Sequence, residues 1–369
     1  MNNLRSIIMK PDFTIPTMKE VATVRGSNGY KVASTFSGCG GSCLGLEMAG
    51  FEIVWANEFV EAARTTYHAN HPNVLVDARD IRSVTGADIL QTTDLSVGEL
   101  DVLEGSPPCA SFSTAGNREK DWGKVKTYSE TDQRTDDLFF EYARLLLELQ
   151  PKTFIAENVS GLVKGKAIGY FKNILTALTG AGYKVEARVL DASWLGVPQS
   201  RRRLIFIGVR NDLVQQYNVH PTYPQPFRFQ YSLHDVLDLR TILTHDNETG
   251  HDITLDRYAL GAAWDKITVG QTSDQYFSLS RPALNKPAPT ITALSGNVGA
   301  ASVTHPTQKR KFTLYELRRL STFPEDFILT GTYQQRCERI GRSVPPFMTR
   351  AIGETIRDNI LARLPAYPV

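Results

Sequence analysis

The sequence has few cysteines, and those it has lack the spacing of a metal site or a disulfide framework. Four occur in 369 residues, at Cys39, Cys43, Cys109 and Cys337, and no two form a CxxC pair. Zinc modules and disulfide-rich secreted domains both need paired cysteines. We therefore expect no bound metal, and a reducing compartment, the cytoplasm, fits this cysteine usage best.

Other absences narrow the class of protein further. No apolar run is long enough to span a membrane. Residues 1–28 are polar and lack the apolar core of a signal peptide, so we interpret 1–29 as an N-terminal extension. The formal charge of +2 excludes a histone-like polycation but is compatible with a local basic groove. With 41% hydrophobic residues, the chain is globular.

The chain does contain a regular alternation of apolar strands and helical segments. Strands are predicted at 30–36, 51–56, 74–76, 101–103, 153–156, 184–190 and 204–209, and helices at 43–49, 61–69, 138–149 and 171–178. This order predicts an α/β domain with a parallel sheet covered by helices. The periodicity is lost over 211–280, where we expect a second, smaller domain. Helices return at 313–320 and 349–361, and we expect the last one to pack on the first domain.

A cysteine follows two prolines near the end of the fourth predicted strand. Pro107 and Pro108 fix φ and prevent a helix, so Cys109 lies on a stiff turn. Functional groups of open α/β sheets gather at this edge. A thiol on a rigid turn suggests a nucleophile. The polar stretch 114–136 follows, and a segment this long without predicted structure is either functional or disordered.

A glycine-rich turn joins the first predicted strand to the first helix. Gly38 and Gly40 let the backbone approach a ligand, and the helix N-terminus offers free N–H groups. Glu58, about 20 residues further on at the end of the second strand, is placed to bind ribose hydroxyls. These features indicate a nucleoside-bearing cofactor, either a dinucleotide or S-adenosylmethionine. A simple tight turn is the alternative.

Charged residues accompany two further strands. Glu157 follows the fifth strand, on the same sheet edge as Cys109. A carboxylate there can hydrogen-bond a substrate or protonate it during thiol attack. A charge at a helix N-terminus is the alternative. Arg201 and Arg203 share a face before the last strand, while Arg202 points away. Two guanidinium groups on one face suit a phosphate or a planar base, with a solvated basic surface as the alternative.

Together these motifs resemble, in order and over most of the chain, those of the cytosine-5 DNA methyltransferases of bacterial restriction–modification systems. The matching segments are 36–41, 57–59, 80–81, 107–109, Leu138, 157–159, 199–203, 286–291 with 310–324, and 340–346. The resemblance implies a Rossmann-like class I S-adenosylmethionine-dependent methyltransferase domain at 30–209, completed by 336–369. It also implies a smaller target-recognition domain at 210–335.

The resemblance also implies roles for individual residues. The residues implied to bind S-adenosylmethionine are Phe36, Gly38, Gly40, Gly41, Glu58, Phe59, Asp80, Ile81, Pro107 and Leu138. Those implied to act on cytosine are Cys109 as the nucleophile on C6, Glu157 at N3 and the exocyclic amine, Arg203 at O2, and Arg201 orienting Glu157 or a phosphate. Two residues depart from the family pattern: Ala110 replaces the usual glutamine, and Arg342 the usual asparagine.

The implied reaction is methyl transfer to C5 of a cytosine flipped out of a short specific site in double-stranded DNA. The stretch 114–136 would close over the base, with Arg118, Lys120, Lys124 and Lys126 meeting phosphates; a disordered solvent loop is the alternative. Residues 211–280 would read the DNA sequence. We expect a monomer in a prokaryotic or phage-infected cytoplasm, with no membrane involved and any cognate restriction endonuclease acting separately.

Three other functions could use parts of the same site. An RNA cytosine-5 methyltransferase on this fold would carry a Cys-Phe-Thr tract, which 211–300 lacks. A non-catalytic DNA-binding regulator would not need Cys109, Glu157 and Arg203 together. A nicotinamide oxidoreductase would use the glycine turn but has no use for a nucleophilic cysteine and two arginines.

Overall fold

The structure of the chain is a computed structural model, which describes residues 10–108, 126–128, 131–133 and 137–365. Its strands are β1 (Lys31–Thr35), β2 (Glu52–Asn57), β3 (Leu75–Asp77), β4 (Val102–Gly105), β5 (Lys126–Tyr128), β6 (Thr131–Gln133), β7 (Thr153–Val159), β8 (Tyr183–Asp191) and β9 (Arg202–Arg210). Its helices are α1 (Met18–Val24), α2 (Gly41–Met48), α3 (Glu61–Asn70), α4 (Gly86–Thr93), α5 (Leu138–Leu149), α6 (Ile168–Gly180), α7 (Asn211–Tyr217), α8 (Leu233–Val236), α9 (Ala259–Asp265), α10 (Leu314–Leu320), α11 (Tyr333–Arg342) and α12 (Pro346–Asn359). Short 3₁₀ turns occupy Ile81–Ser83, Ser160–Val163, Gly165–Ala167, Ala192–Trp194, Ala293–Gly296 and Leu361–Arg363.

Seven strands form one sheet in the order β3-β2-β1-β4-β7-β9-β8. The chain moves outward from β1 to β3 and then returns to the other side of β1 with β4, so the strand order reverses between β1 and β4. Ligands of open α/β sheets bind outside the carboxyl ends of the strands at such a reversal. The glycine turn follows β1, and the Pro107-Pro108 turn follows β4, so both lie at this point.

The prediction of an all-parallel sheet is wrong at one strand. β9 lies antiparallel to both of its neighbours, β7 and β8, whereas the pairs among β1 to β4 and β7 are parallel. Only residues 192–201 join β8 to β9. A parallel connection needs a crossover of a dozen or more residues, so this short link folds the strands into a hairpin.

Alternating side chains of the strands fill the two faces of the sheet. On one face, Val32 and Val102 pack with helices α2 and α12, and the expected packing of the last helix on the first domain is confirmed. On the other face, Ala33 and Leu103 pack with α5 and α6. Because both faces of the sheet are covered, its inner strands contain short apolar runs, such as residues 204–207 of β9, by which they could be recognised in the sequence.

Within the region predicted as a second domain, residues 255–298 form an apolar cluster of their own, made by Leu255, Leu260, Trp264, Leu279 and Val298 with their neighbours. A larger cluster under α10 and α11 joins this part of the chain to α2. The segment directly after β9 behaves differently from the prediction, because α7 and residues up to Tyr223 pack into the core on the sheet.

Within the predicted N-terminal extension, the described residues from 10 onward include helix α1, which packs on the rest of the chain. Helix α1 begins with a capping box in which Thr17 and Glu20 each bond the other's backbone N–H. Its Val21 is buried beside Leu44 of α2, and the Phe13 ring packs edge-on against another aromatic ring. In the described part of the chain, no helix has the length and apolar composition needed to cross a membrane.

Candidate active site

A cavity of about 760 Å³ opens at the carboxyl edge of the sheet. Twelve of the fourteen residues predicted for the site line it: Phe36, Gly38, Gly41, Glu58, Phe59, Asp80, Ile81, Pro107, Leu138, Glu157, Arg201 and Arg203. The two exceptions are Gly40, which lies behind the wall, and Cys109, which lies outside the described residues together with Ala110 and most of 114–136. Residues predicted to bind a cofactor and residues predicted to act on a base therefore share one space.

The glycine turn is shaped by its backbone and by what lies behind it. Gly40 has a φ of +91°, and a Cβ there would lie 2.5 Å from the Nε2 atom of His71, so only glycine fits. His71 is fully buried and contacts the Glu47 carboxylate at 3.1 Å. Gly40 thus lets the turn lie close against His71, on the side away from the cavity. Phe36, the first residue after β1, also has a left-handed backbone, with a φ of 54°.

Glu58 is held at the end of β2 by two backbone N–H groups. Gly38 N–H donates to one carboxylate oxygen at 2.8 Å, and Val60 N–H donates to the other at 2.7 Å. Burial raises the pKa of Glu58, and the two N–H donors act in the opposite direction. Each carboxylate oxygen keeps a further acceptor site, so the group can still bind a hydroxyl in the cavity.

The walls next to Glu58 combine an exposed ring with a charged and an apolar surface. Phe59 is 40% exposed although it lines the cavity, so its ring is available to a ligand. The Asp80 carboxylate contacts the Arg82 guanidinium at 2.9 Å, and Ile81 and Leu138 are buried beside it. A planar ring could lie here between an aromatic side chain and aliphatic groups, with a carboxylate at its edge.

The Pro107-Pro108 turn is fixed by a side chain from the neighbouring strand. The Asn158 amide Nδ2–H donates to the Pro107 carbonyl oxygen at 3.2 Å. Asn158 is buried in β7, so the bond joins the turn to the centre of the sheet. Pro107 is therefore held against the sheet.

Glu157 forms an ion pair in the wall of the cavity. Its carboxylate Oε1 lies 2.7 Å from Nε of Arg203, and both side chains are only 15% exposed. Glu157 belongs to β7, opposite Ile205 of β9, rather than to a turn after the strand. The antiparallel β9 is what brings Arg203 beside it, so the alternative of a charge at a helix N-terminus does not apply.

Arg201 has a different environment from the one predicted. Its guanidinium is buried and donates to the carbonyl oxygens of Ile291 at 2.8 Å and Gly341 at 3.0 Å, and more weakly to that of Arg342. Burial lowers its pKa well below the usual arginine value. The side chain that contacts Glu157 is Arg203, and the orienting role of Arg201 stays a prediction. Through its bonds to these carbonyl oxygens, Arg201 ties together two segments of the cavity wall.

One carboxyl group in the cavity wall had not been singled out from the sequence. Glu104 in β4 is buried and accepts a hydrogen bond from the Ser34 hydroxyl at 2.6 Å. Burial raises its pKa to about 7, opposed by the Ser34 and Ser42 hydroxyls and reinforced by the charge of Glu157. A glutamate inside the apolar run 102–105 is the sequence signal that could have revealed it. Among the described residues, no group of three or more His, Cys, Asp or Glu side chains is placed to hold a metal ion.

Comparison with known proteins identifies the family to which the chain belongs. A family model described as C-5 cytosine-specific DNA methylase matches residues 30–358. The Type II methyltransferase M.NgoPII of Neisseria gonorrhoeae is 30% identical over 353 residues, covering 90% of this chain and 97% of that protein. M.Bsp6I of Bacillus sp. strain RFL6 is 33% identical over 348 residues, covering 90% of this chain and 99% of that protein.

The fold agrees with these sequence matches. A solved structure of a protein described as a DNA modification methyltransferase encoded within an E. coli prophage superposes with a TM-score of 0.70 at 22% identity, covering 90% of this chain and 99% of that one. The predicted fold class, the Rossmann-like fold of S-adenosylmethionine-dependent methyltransferases, is confirmed. The chain belongs to the C-5 cytosine-specific DNA methylases, and the prediction that it is an enzyme of the kind found in type II restriction–modification systems is confirmed.

Proposed function

We propose that the protein transfers a methyl group from S-adenosylmethionine to C5 of a cytosine flipped out of a short specific site in double-stranded DNA. It would act in a restriction–modification system or as an orphan methyltransferase. The observation that carries the proposal is the shared cavity, in which the glycine turn and Glu58 face the same space as the Glu157–Arg203 pair. Methyl transfer between two bound molecules requires such a common space.

The residues at one end of the cavity fit S-adenosylmethionine. Glu58 would accept hydrogen bonds from the ribose hydroxyls, and Phe59 would pack on the adenine, whose amino group would meet Asp80. Phe36, Gly38, Gly40, Gly41, Ile81, Pro107 and Leu138 would form or support the rest of this surface. When bound, S-adenosylmethionine supplies a methyl group on a positively charged sulfur, which makes that methyl electrophilic.

Cys109 would provide the nucleophile that activates the base. Its thiolate adds to C6, which turns C5 into an enamine carbon able to attack an electrophile; after C5 loses its proton, the thiolate leaves again. The three cysteines that the structure describes, Cys39, Cys43 and Cys337, are buried, and burial raises the pKa of each, that of Cys337 to about 12. They are therefore poor thiolates, which favours Cys109 for this role.

Glu157 and Arg203 would hold the cytosine while charge develops on it. Glu157 would bond N3 and the exocyclic amine, and Arg203 would bond O2 while its contact with Glu157 keeps the carboxyl in place. Preorganised groups aimed at developing charge lower the barrier without reorganising during the reaction. Arg201 is assigned to positioning the cavity wall, because its guanidinium bonds backbone carbonyls.

The division of labour along the chain would keep the predicted boundaries except directly after β9, where residues 211–223 pack on the sheet. Residues 30–209 with 336–369 would form the catalytic domain together with this segment, the rest of 210–335 would recognise the DNA site, and 114–136 would close over the flipped base. The protein would work as a monomer on double-stranded DNA in the cytoplasm of a prokaryotic or phage-infected cell. A cognate restriction endonuclease, where one exists, would act separately.

The proposal is tested by incubating the protein with labelled S-adenosylmethionine and unmethylated genomic DNA, followed by bisulfite sequencing. We expect protected cytosines confined to one short motif. Cys109→Ser should bind DNA and S-adenosylmethionine but transfer no methyl group. Methyl transfer to RNA in place of DNA would favour the RNA methyltransferase, and near-normal turnover by Cys109→Ser would refute the covalent mechanism.

A further inference from the structure

We propose that Glu104 binds the ammonium group of S-adenosylmethionine as a carboxylate, so that binding of the cofactor expels a proton from the site. This inference rests on the proposed function, because it assumes that S-adenosylmethionine is the cofactor. It assigns a binding role to a residue outside the motifs that predicted the site. It also makes the affinity for the cofactor depend on pH.

Glu104 lies in β4, at the point where the strand order of the sheet reverses. It is opposite Ser34 of β1 in parallel register, so the two side chains project from the same face of the sheet. The Ser34 hydroxyl donates to its carboxylate at 2.6 Å, and the Ser42 hydroxyl at the start of α2 bonds the same group. Glu104 is only 2% exposed, yet it lines the cavity. The carboxyl is therefore held in a wall that a ligand can contact.

Glu104 differs from the other three residues with a carboxyl group that line the cavity, because it has no charged partner. Glu58 accepts hydrogen bonds from two backbone N–H groups, and Asp80 and Glu157 each contact an arginine. Among the described residues, no lysine, arginine or histidine pairs with Glu104. A buried carboxyl without a cation keeps its proton unless a ligand supplies the positive charge.

The groups around Glu104 favour its protonated form. The titratable side chains that interact with its charge are Cys43 of α2, Tyr67 of α3, Tyr142 of α5 and Glu157 of β7. Burial raises the pKa of Cys43, Tyr67 and Tyr142, so these groups stay neutral, and the charge of Glu157 opposes a second negative charge nearby. Burial raises the pKa of Glu104 itself to about 7. A cation bound beside it can therefore ionise it near neutral pH.

The strand order indicates which part of the cofactor meets Glu104. Phe59 and Asp80, proposed for the adenine, follow β2 and β3, and Glu58, proposed for the ribose, follows β2. Glu157, proposed for the cytosine, lies in β7, with β1 and β4 between β2 and β7. The part of the cofactor left for β1 and β4 is its amino-acid chain. Of the two charged groups at the end of that chain, a carboxylate in the wall attracts the ammonium and repels the carboxylate.

The expected pH dependence follows from the ionised fraction of Glu104. With a pKa of about 7, this fraction rises from about 0.09 at pH 6 to about 0.76 at pH 7.5. A ligand that binds only the ionised form should therefore bind about 8-fold more tightly at pH 7.5 than at pH 6. At pH 6 its binding should release about 0.9 proton from Glu104 to the buffer.

The test measures binding of S-adenosylhomocysteine by calorimetry at pH 6 and 7.5, in two buffers of different ionisation enthalpy that together count the protons released. This probe keeps the ammonium group but lacks the sulfonium charge and transfers no methyl group. 5′-Methylthioadenosine, which lacks both charged groups of the amino-acid chain, is the control ligand. The variants are Glu104→Gln and, as a matched control, Glu99→Gln. Glu99 precedes β4, accepts a hydrogen bond from Ser96 N–H at 2.7 Å, and is not among the described residues that line the cavity.

We expect Glu99→Gln to match the unchanged protein, with S-adenosylhomocysteine bound about 8-fold more tightly at pH 7.5 than at pH 6. Glu104→Gln should lose this pH dependence and release about one proton fewer at pH 6. If it keeps both the pH dependence and the proton release, the inference is refuted. Circular dichroism checks its fold, since glutamine can still accept the Ser34 hydrogen bond.

The control ligand keeps the test decisive even if Glu104→Gln does not fold, because it is applied to the unchanged protein. 5′-Methylthioadenosine should bind without releasing the proton that S-adenosylhomocysteine releases at pH 6. If the two ligands release the same number of protons, the ammonium group is not the partner of Glu104, and the inference is refuted.

Failure of this inference is distinguishable from failure of the proposed function. If the unchanged protein methylates cytosines in DNA and Glu104→Gln binds S-adenosylhomocysteine like the control variant, only the role of Glu104 is wrong. If the unchanged protein binds neither S-adenosylmethionine nor S-adenosylhomocysteine, the proposed function fails, and the role of Glu104 falls with it. If the proton release is found but no DNA is methylated, the role of Glu104 is supported and the proposed substrate is wrong.

Discussion

Replacing Arg201 by methionine should lower the free energy of unfolding by about 2–4 kcal/mol, because the side chain secures the cavity wall. Methionine has a similar length and keeps the apolar contacts of the arginine stem. It removes the donors to the Ile291 and Gly341 carbonyl oxygens, which lie 2.8 and 3.0 Å from the guanidinium. The substitution should therefore lower the free energy of unfolding without removing a group that takes part in methyl transfer.

The magnitude follows from these two contacts. A buried carbonyl left without a donor costs about 1–3 kcal/mol, which gives about 2–6 kcal/mol for the pair. Removing the guanidinium also removes the cost of burying its charge, and this reduces the net loss. The third contact, to the Arg342 carbonyl at 3.3 Å, is long and adds little.

Urea denaturation measures the difference, and the next residue in the chain provides the control. The Arg202 side chain is 71% exposed and pairs with Asp191 at 3.3 Å, so Arg202→Met should cost less than about 1 kcal/mol. If Arg201→Met is as stable as Arg202→Met but transfers no methyl group, the reasoning is refuted. Arg201 would then be a catalytic group, as the sequence motif predicted.

Three further predictions concern other residues of the cavity and its support. Glu157→Gln should lower the single-turnover rate of methyl transfer about 100- to 1000-fold with unfolding unchanged, and near-normal turnover would exclude its proposed role. Burial raises the pKa of Glu104 to about 7 in the folded protein, from about 4.5 in the unfolded chain. The folded protein therefore binds the proton more tightly, and the stability that this contributes is lost as the pH rises from about 4.5 to 7. In the unchanged protein this loss should lower the free energy of unfolding by about 2–3 kcal/mol between pH 5 and 8, and Glu104→Gln should abolish it. Thermal or urea unfolding measures the difference, and an unaltered pH dependence in the variant would contradict the burial argument. Gly40→Ala should destabilise the protein by more than about 2 kcal/mol because its Cβ would strike His71, whereas Gly38→Ala, which has open space, should cost about 1 kcal/mol; equal losses would contradict the steric argument.

Most of the sheet could be predicted because its inner strands are buried on both faces and contain apolar runs. The helix predicted at 138–149 coincides with α5, whose apolar residues repeat at helical spacing. The pattern of strands and helices did not reveal the direction in which each strand runs in the sheet. The orientation of β9 depends on the length of the link 192–201, which the apolar pattern does not report.

Six of the described helices were not predicted, and four of them carry a capping signal. Helices α1, α4, α8 and α11 begin with boxes formed by Thr17 and Glu20, Thr85 and Asp88, Ser232 and Asp235, and Thr332 and Gln335. Their polar faces hid the apolar periodicity. In α11, the buried Tyr333, Cys337 and Ile340 nevertheless recur at the spacing of one helical face.

The site was predictable as a set of residues but not as a set of contacts. Alternation along the last strand correctly separated exposed Arg202 from Arg201 and Arg203. It did not show that Arg203 pairs with Glu157, because that contact depends on the antiparallel register of β9 with β7. Arg201 donates to carbonyl oxygens that lie 90 and 140 positions away in the sequence, and such long-range contacts leave no local signal.

Trapping the covalent intermediate tests the proposed reaction most directly. A duplex carrying the methylated motif would contain 5-fluoro-2′-deoxycytidine at the target position and would be incubated with the protein and S-adenosylmethionine. Fluorine at C5 does not leave as a proton does, so the bond between the enzyme and C6 should persist through denaturation. We predict a protein–DNA complex whose proteolytic digest carries the adduct on the peptide containing Cys109. No stable complex, or an adduct on another residue, would contradict the mechanism.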